Sequence, residues 1–132
     1  MIYLLDANSC IRFLNGRSEN VRRRLESERS EDITLCSVVK AELLFGAFKS
    51  ARPTENLDRL WPFFRRFRSL PFDDTAAETY GEIRARLERA GRLIGPNDLL
   101  IAAIALSQGV TLVTNNTREF SRVEGLRLED WE

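Results

Sequence analysis

Four acids in this 132-residue chain could share one piece of chemistry. Asp6 ends the apolar run IYLLD, Glu42 lies one turn into SVVKAELLFGA, Asp98 opens NDLLIAAIAL, and Glu119 follows TLVT in TNNTREF. Clustered carboxylates repel one another and raise each other's pKa, so a site of three or four is stable only when a cation neutralises it. Oxygen donors alone, in a chain without histidine, point to Mg²⁺ or Mn²⁺. Such an ion, or a pair roughly 3.5–4 Å apart, can activate a water and stabilise the leaving oxygen of a phosphodiester.

Each acid also has a plain structural reading. Asp6 could cap a following helix by accepting the backbone N–H of Asn8 or Ser9. Asp98 could be a first-turn carboxylate favoured by the helix dipole, with Pro96 helping to open the helix. Glu42 is harder to explain that way. On a helical wheel it falls beside Val38, Val39, Leu43, Phe45 and Gly46, on or next to a buried face where an unpaired carboxylate is costly. Glu119 alone carries little weight.

The elements that must position these acids are legible as alternating apolar runs and helical patterns. Strands are expected at 2–6, 33–37, 69–72 and 111–114, with 125–128 as an edge strand, and helices at 8–15, 19–29, 37–49, 54–68, 74–91 and 97–108. Gly109 reads as the stop of the last helix. The strands are continuous apolar runs rather than alternating ones, so the sheet is parallel and covered on both faces, a three-layer α/β/α sandwich. Ligands of such sheets bind at the carboxyl ends of the strands, where strand order reverses. Asp6 stands at such an end. Asp98 reaches it only if its helix runs back across the sheet.

In the helix at 54–68, Leu57, Leu60, Phe64 and Phe67 form a core stripe. Trp61 and Phe63 fall off it, which fits either a partner interface or a second core contact. Pro62 predicts a kink or restart. In the helix at 74–91, Glu82 with Arg86 and Glu88 with Arg92 have the spacing of surface ion pairs.

Composition narrows the class. A chain 43% hydrophobic and 30% charged is a globular protein, expected as a single domain over 1–132. Its formal charge is zero, which argues against a coat protein held on nucleic acid by bulk electrostatics. Of 20 cations only Lys40 and Lys49 are not arginine. Arginine pairs two-pronged with phosphate or carboxylate, so Arg12, Arg17 and Arg118 are candidates to grip an RNA backbone or a partner's acids. Cys10 and Cys36 lack metal-site spacing and read as buried thiols. No apolar run is long enough for a bilayer, and a cytoplasmic location is expected.

At YLLDAN (3–8), SVVKAELLFGA (37–47), IGPNDLLIAAIAL (94–106) and LVTNNTREFSRVEGLRLEDW (112–131) the chain resembles the PIN-domain family, and within it the VapC toxins of bacterial toxin-antitoxin pairs. The four segments occur in the family order and reach from end to end. The resemblance implies a PIN-like sandwich with a central parallel sheet of four to five strands. It also implies a Mg²⁺- or Mn²⁺-dependent endoribonuclease that cuts RNA, often tRNA, and so stops translation. A homodimer and a VapB-type antitoxin that inserts a segment into the acidic groove are implied as partners. By position, Asp6, Glu42 and Asp98 fall on the three core acids as metal ligands. Many PIN domains carry an aspartate where this chain has Asn116, leaving Glu119 as the available fourth acid. Thr114, Asn116 and Asn8 would be supporting polar groups.

Two other classes compete. A receiver-type phosphotransfer domain would want an acidic pair near the first strand and a late lysine, neither of which is present. A catalytically inactive PIN-like binding module is favoured only by Asn116.

Overall fold

The structure is a computed structural model describing residues 1–132. Five parallel strands make one sheet: β1 (Tyr3–Leu5), β2 (Ile33–Cys36), β3 (Arg68–Leu70), β4 (Thr111–Val113) and β5 (Leu128–Glu129). Their order is β3-β2-β1-β4-β5. Tyr3 lies opposite Ile33 on one side and Thr111 on the other. All residues of β1, β2 and β4 are buried, which is why these runs show no polar alternation. Within them Thr34 donates its hydroxyl to the Tyr3 carbonyl at 2.8 Å.

Seven helices connect the strands: α1 (Ala7–Leu14), α2 (Glu19–Ser27), α3 (Ser37–Lys49), α4 (Pro53–Arg66), α5 (Asp74–Arg89), α6 (Pro96–Gln108) and the short α7 (Thr117–Phe120). Parallel crossovers are right-handed. From β1 to β3 the chain steps one way along the sheet and then returns past β1 to β4, so α1–α4 fall on one face and α5 and α6 on the other. Within the layers α1 meets α2 and α3, α3 meets α4, and α5 meets α6, and between the layers α3 also touches α6. A single cluster of 33 buried apolar and sulfur-bearing residues joins both layers through the sheet.

Local chemistry fixes the ends. Ser18 and Asp73 cap α2 and α5 by accepting the N–H of Val21 and Ala76 at 3.2 and 2.9 Å. Pro96 opens α6, and Gly109 closes it in the left-handed region, φ 66°. Two residues later β4 begins, so α6 runs antiparallel to that strand and returns its N-terminus to the carboxyl edge of the sheet.

Several expectations need correcting. Helix α4 is unbroken through Pro62. The carbonyl that Pro62 leaves without an intrahelical donor belongs to Asp58, which is exposed to water. Phe63 is a core residue, stacked on Phe13 at 5.7 Å and edge-on to Phe67 at 5.3 Å, whereas Trp61 is 42% exposed. Leu57 is only partly buried, and Phe45 is exposed. The anticipated α5 ion pairs do not form. Arg84 pairs with Glu88 and Arg86 with Glu124; α5 ends before Arg92, so Glu88 has no helical partner there, and Arg86 reaches out to Glu124 instead of back to Glu82. Cys10 and Cys36 are free and buried as expected, and burial pushes both thiols up, away from the reactive thiolate.

Candidate active site

Strand order reverses at β1, whose neighbours β2 and β4 follow connections of opposite direction. Just beyond its carboxyl end lies a small cavity of about 110 Å³. Asp6, Asn8, Glu42, Asp98 and Asn116 form its polar wall, with Ile101 and Phe120 on the apolar side. Four distant segments of the chain therefore meet at the place where an open parallel sheet binds its ligand.

Asp6 has both of its expected roles open to it. One carboxylate oxygen caps α1 by accepting the Ser9 N–H at 2.8 Å, and the residue is still on the cavity wall. Its own N–H donates to the Val113 carbonyl at 3.1 Å, and the Ser9 hydroxyl donates to the same carbonyl at 3.4 Å. The end of β1 is thus tied to the end of β4. Ser9 could have been noticed in the sequence only as a polar residue in an apolar helix face.

Glu42 is half-buried on the shoulder of the α3 face made by Val39, Leu43 and Ala47. Burial raises its pKa, as does the nearby charge of Asp6, against a hydrogen bond from the Asn97 side chain that lowers it. Asn97 was not among the expected site residues. Its signal was its place beside Asp98 in GPND.

Asp98 sits at the third position of α6 and makes no cap for its own helix. Its carboxyl is pushed up to about 7, first by burial, then by the charge of Glu119 and a hydrogen bond to it, and further by Glu42 and Asp6. Burial acts on Glu119 in the same direction, but the Gly95 N–H, the Asn116 amide, Asp98 and the charge of Arg122 together draw it below its ordinary value. Between the two carboxyls the proton therefore resides on Asp98, since Glu119 already accepts from better donors. The Gly95 N–H reaches Glu119 at 2.7 Å, and Asn116 Nδ2 donates to its other oxygen. Glu119 stands behind Asp98 rather than on the cavity wall.

Thr114 is fully buried, and its hydroxyl accepts the Asn116 N–H at 3.0 Å, so it shapes the turn after β4 rather than the wall. Arg12 is engaged in an ion pair with Glu132 at 2.8 Å. Arg17 and Arg118 are exposed.

The donor set suits a hard divalent cation. It is made of oxygen ligands, and none of the chain's eight ion pairs reaches Asp6, Glu42, Asp98 or Glu119. Burial first, and then the charges of Glu119, Glu42 and Asp6, raise the pKa of Asp98, and no ion pair offsets them at that carboxyl. As they stand, no three of these carboxylates converge on one ion position; Asp6 is turned to its cap and Asp98 to Glu119.

Residues 3–126 match the PIN domain. The chain belongs to the PIN-domain family. Within that family it is 44% identical over 129 residues to the tRNA(fMet)-specific endonuclease VapC of Shigella flexneri, covering 98% of this chain and 97% of that one. To the ribonuclease VapC2 of Rickettsia felis it is 40% identical over 133 residues, 100% and 99% of the two chains. A crystal structure of DNA-bound VapBC from Salmonella typhimurium superposes with a TM-score of 0.94 at 39% identity, covering 100% of this chain and 99% of that one. Relatives this similar over their whole length place the chain among the VapC proteins of the PIN-domain family. In this VapC chain Asn116 lies on the cavity wall, and Glu119 is hydrogen-bonded to it away from that wall.

Proposed function

We propose that this chain, acting as one PIN domain over residues 1–132, is the toxin of a toxin-antitoxin pair and an endoribonuclease that hydrolyses RNA phosphodiester bonds. The observation that carries the reading is the meeting of Asp6, Glu42 and Asp98, from three separate elements, around one cavity at the strand-order reversal. Transfer RNA is the proposed substrate class, and initiator tRNA the first member to test, by similarity to a relative named for it.

Asp6, Glu42 and Asp98 are proposed to hold Mg²⁺ or Mn²⁺, with Glu119 as the fourth carboxylate of the site. Such an ion supplies the Lewis acidity that activates water and offsets charge on the leaving oxygen. The protein's own groups do the rest. The amides of Asn8 and Asn116 line the wall where they can orient a phosphate oxygen or water, and Ile101 and Phe120 exclude bulk water from the inner side. With no histidine in the chain, proton movement near neutral pH would fall to water held at the ion and to the carboxylates of the site.

A VapB-type antitoxin is the proposed partner, and the relative solved as a VapBC complex supports it. A groove of about 310 Å³ between α1, α3 and α4, with Leu14, Leu43 and Leu60 on its walls, shares Glu42 with the acid cavity. An antitoxin segment lying in that groove would end beside the acids. The exposed side chains of Phe45 and Phe48 on α3 support a homodimer. No helix is long and apolar enough to cross a membrane, and a cytoplasmic site of action fits a tRNA substrate.

The test is cleavage of total tRNA by purified, antitoxin-free protein in Mg²⁺, in Mn²⁺ and in EDTA. Discrete fragments that vanish in EDTA are expected. A folded protein that neither cuts RNA nor binds metal would instead be an inactive PIN-like binding module.

A further inference from the structure

Glu119 is the one acid of the four that is absent from the cavity wall, yet it is the most heavily hydrogen-bonded. The backbone N–H of Gly95 holds one carboxylate oxygen at 2.7 Å, Asn116 Nδ2 holds the other, and the Asp98 carboxyl lies against it. These contacts tie the start of α6 to α7 across the mouth of the site. Gly95 contributes in a second way. Its backbone, φ −57° and ψ 150°, is open to any residue, so no conformational demand explains a glycine there. Space does: a Cβ on residue 95 would lie 3.3 Å from Asp98 Oδ2 and 3.6 Å from Glu119 Oε1. The first distance is tight enough to shift the Asp98 carboxylate, and the second is ordinary contact.

We propose that Glu119 is a positioning residue rather than a ligand of the ion: clamped by the Gly95 N–H and the Asn116 amide, it fixes the direction in which Asp98 meets the cavity, and Gly95 lacks a side chain so that this carboxylate pair can form. Residues that hydrogen-bond to metal ligands orient them, and their loss typically weakens metal affinity about 10–100-fold. The proposal rests on the divalent-ion reading of the site.

The experiment titrates wild type, Glu119→Gln and Gly95→Ala with Mn²⁺, reading affinity by calorimetry and the number of exchangeable waters on the bound ion by water-proton relaxation. Gly95→Ala changes no charge, and alanine adopts the φ and ψ of residue 95 without strain, so it separates position from electrostatics. Both variants are expected to bind Mn²⁺ about 10–100-fold more weakly, with the water number of wild type. An additional exchangeable water in Glu119→Gln would make Glu119 a ligand and overturn the proposal. Weakening in Glu119→Gln alone, with Gly95→Ala binding like wild type, would reduce the effect to charge and overturn it as well. Wild-type affinity in both would sever Glu119 from the site. Failure of wild type itself to bind Mn²⁺ is a different result, because it removes the metal reading on which the proposal stands. Thermal unfolding in EDTA checks that both variants fold, and Asn116→Ala, which removes the second clamp, replaces Gly95→Ala if that variant does not.

Discussion

Asp98 and Glu119 stand carboxyl to carboxyl at the start of α6, and the proton between them resides on Asp98, whose pKa is pushed up to about 7 by burial and by the neighbouring charge. Without metal, the folded protein therefore keeps a proton on Asp98 that the unfolded chain releases near its ordinary value. Between those two pH values the native state binds more protons than the unfolded state, so this group's contribution to stability falls as pH rises and levels off above about 7. Denaturant unfolding in EDTA at several pH values should show that slope, and Asp98→Asn should lack it. Glu119, drawn below its ordinary value, has the opposite sign: its contribution is present above the ordinary glutamate range and is lost as pH falls through its folded value.

Metal binding should carry the same signature. Occupation of the site by Mn²⁺ requires the Asp98 carboxylate, so binding near pH 6 should expel a proton and affinity should rise with pH up to about 7. Calorimetry in two buffers of different ionisation heat measures the proton released. Affinity independent of pH over that range would remove Asp98 from the ligand set.

Asp6 is both a helix cap and a wall of the cavity, and the two roles separate by substitution. Asparagine caps about as well as aspartate, so Asp6→Asn should leave stability within roughly 0.5 kcal/mol of wild type while cleavage is lost. Asp6→Ala should lose cleavage and in addition about 1 kcal/mol of stability. Urea unfolding beside an RNA cleavage assay distinguishes them.

The two aromatics of α4 that lie off its apolar stripe should behave oppositely. Phe63 is buried between Phe13 and Phe67, and Phe63→Ala should cost about 3–5 kcal/mol. Trp61, half-exposed and touching Phe64 edge-on at 6.0 Å, should cost about 1 kcal/mol when replaced by alanine. Equal losses would contradict the burial of Phe63 as the reason.

The strands and helices were legible because their signals are local. IYLL, ITLC and TLV are continuous apolar runs, and Pro96 and Gly109 mark helix ends by chemistry that acts within one turn. Asp6, Glu42 and Asp98 stood out because acids adjoin apolar runs there. What the sequence could not show depends on tertiary approach. That Phe63 faces Phe13 follows from how α4 meets α1, and the pairing of Arg86 with Glu124 follows from a loop 38 residues away. Nor does any local pattern set Glu119 behind Asp98 instead of beside it, because that turns on the path of α7 against the start of α6. Gly95 carries no signal of its own in GPND, and only the distance from its missing Cβ to Asp98 gives it a meaning.

The most direct test of the account compares tRNA cleavage by wild type and Asp98→Asn, purified free of antitoxin, at saturating Mn²⁺ and in EDTA. Losing a ligand worth several kcal/mol of charge stabilisation should slow the variant roughly 100-fold or more, with wild type falling as far in EDTA. Cleavage by folded Asp98→Asn at the wild-type rate, or wild-type cleavage indifferent to EDTA, would contradict a carboxylate-held ion as the agent of RNA hydrolysis.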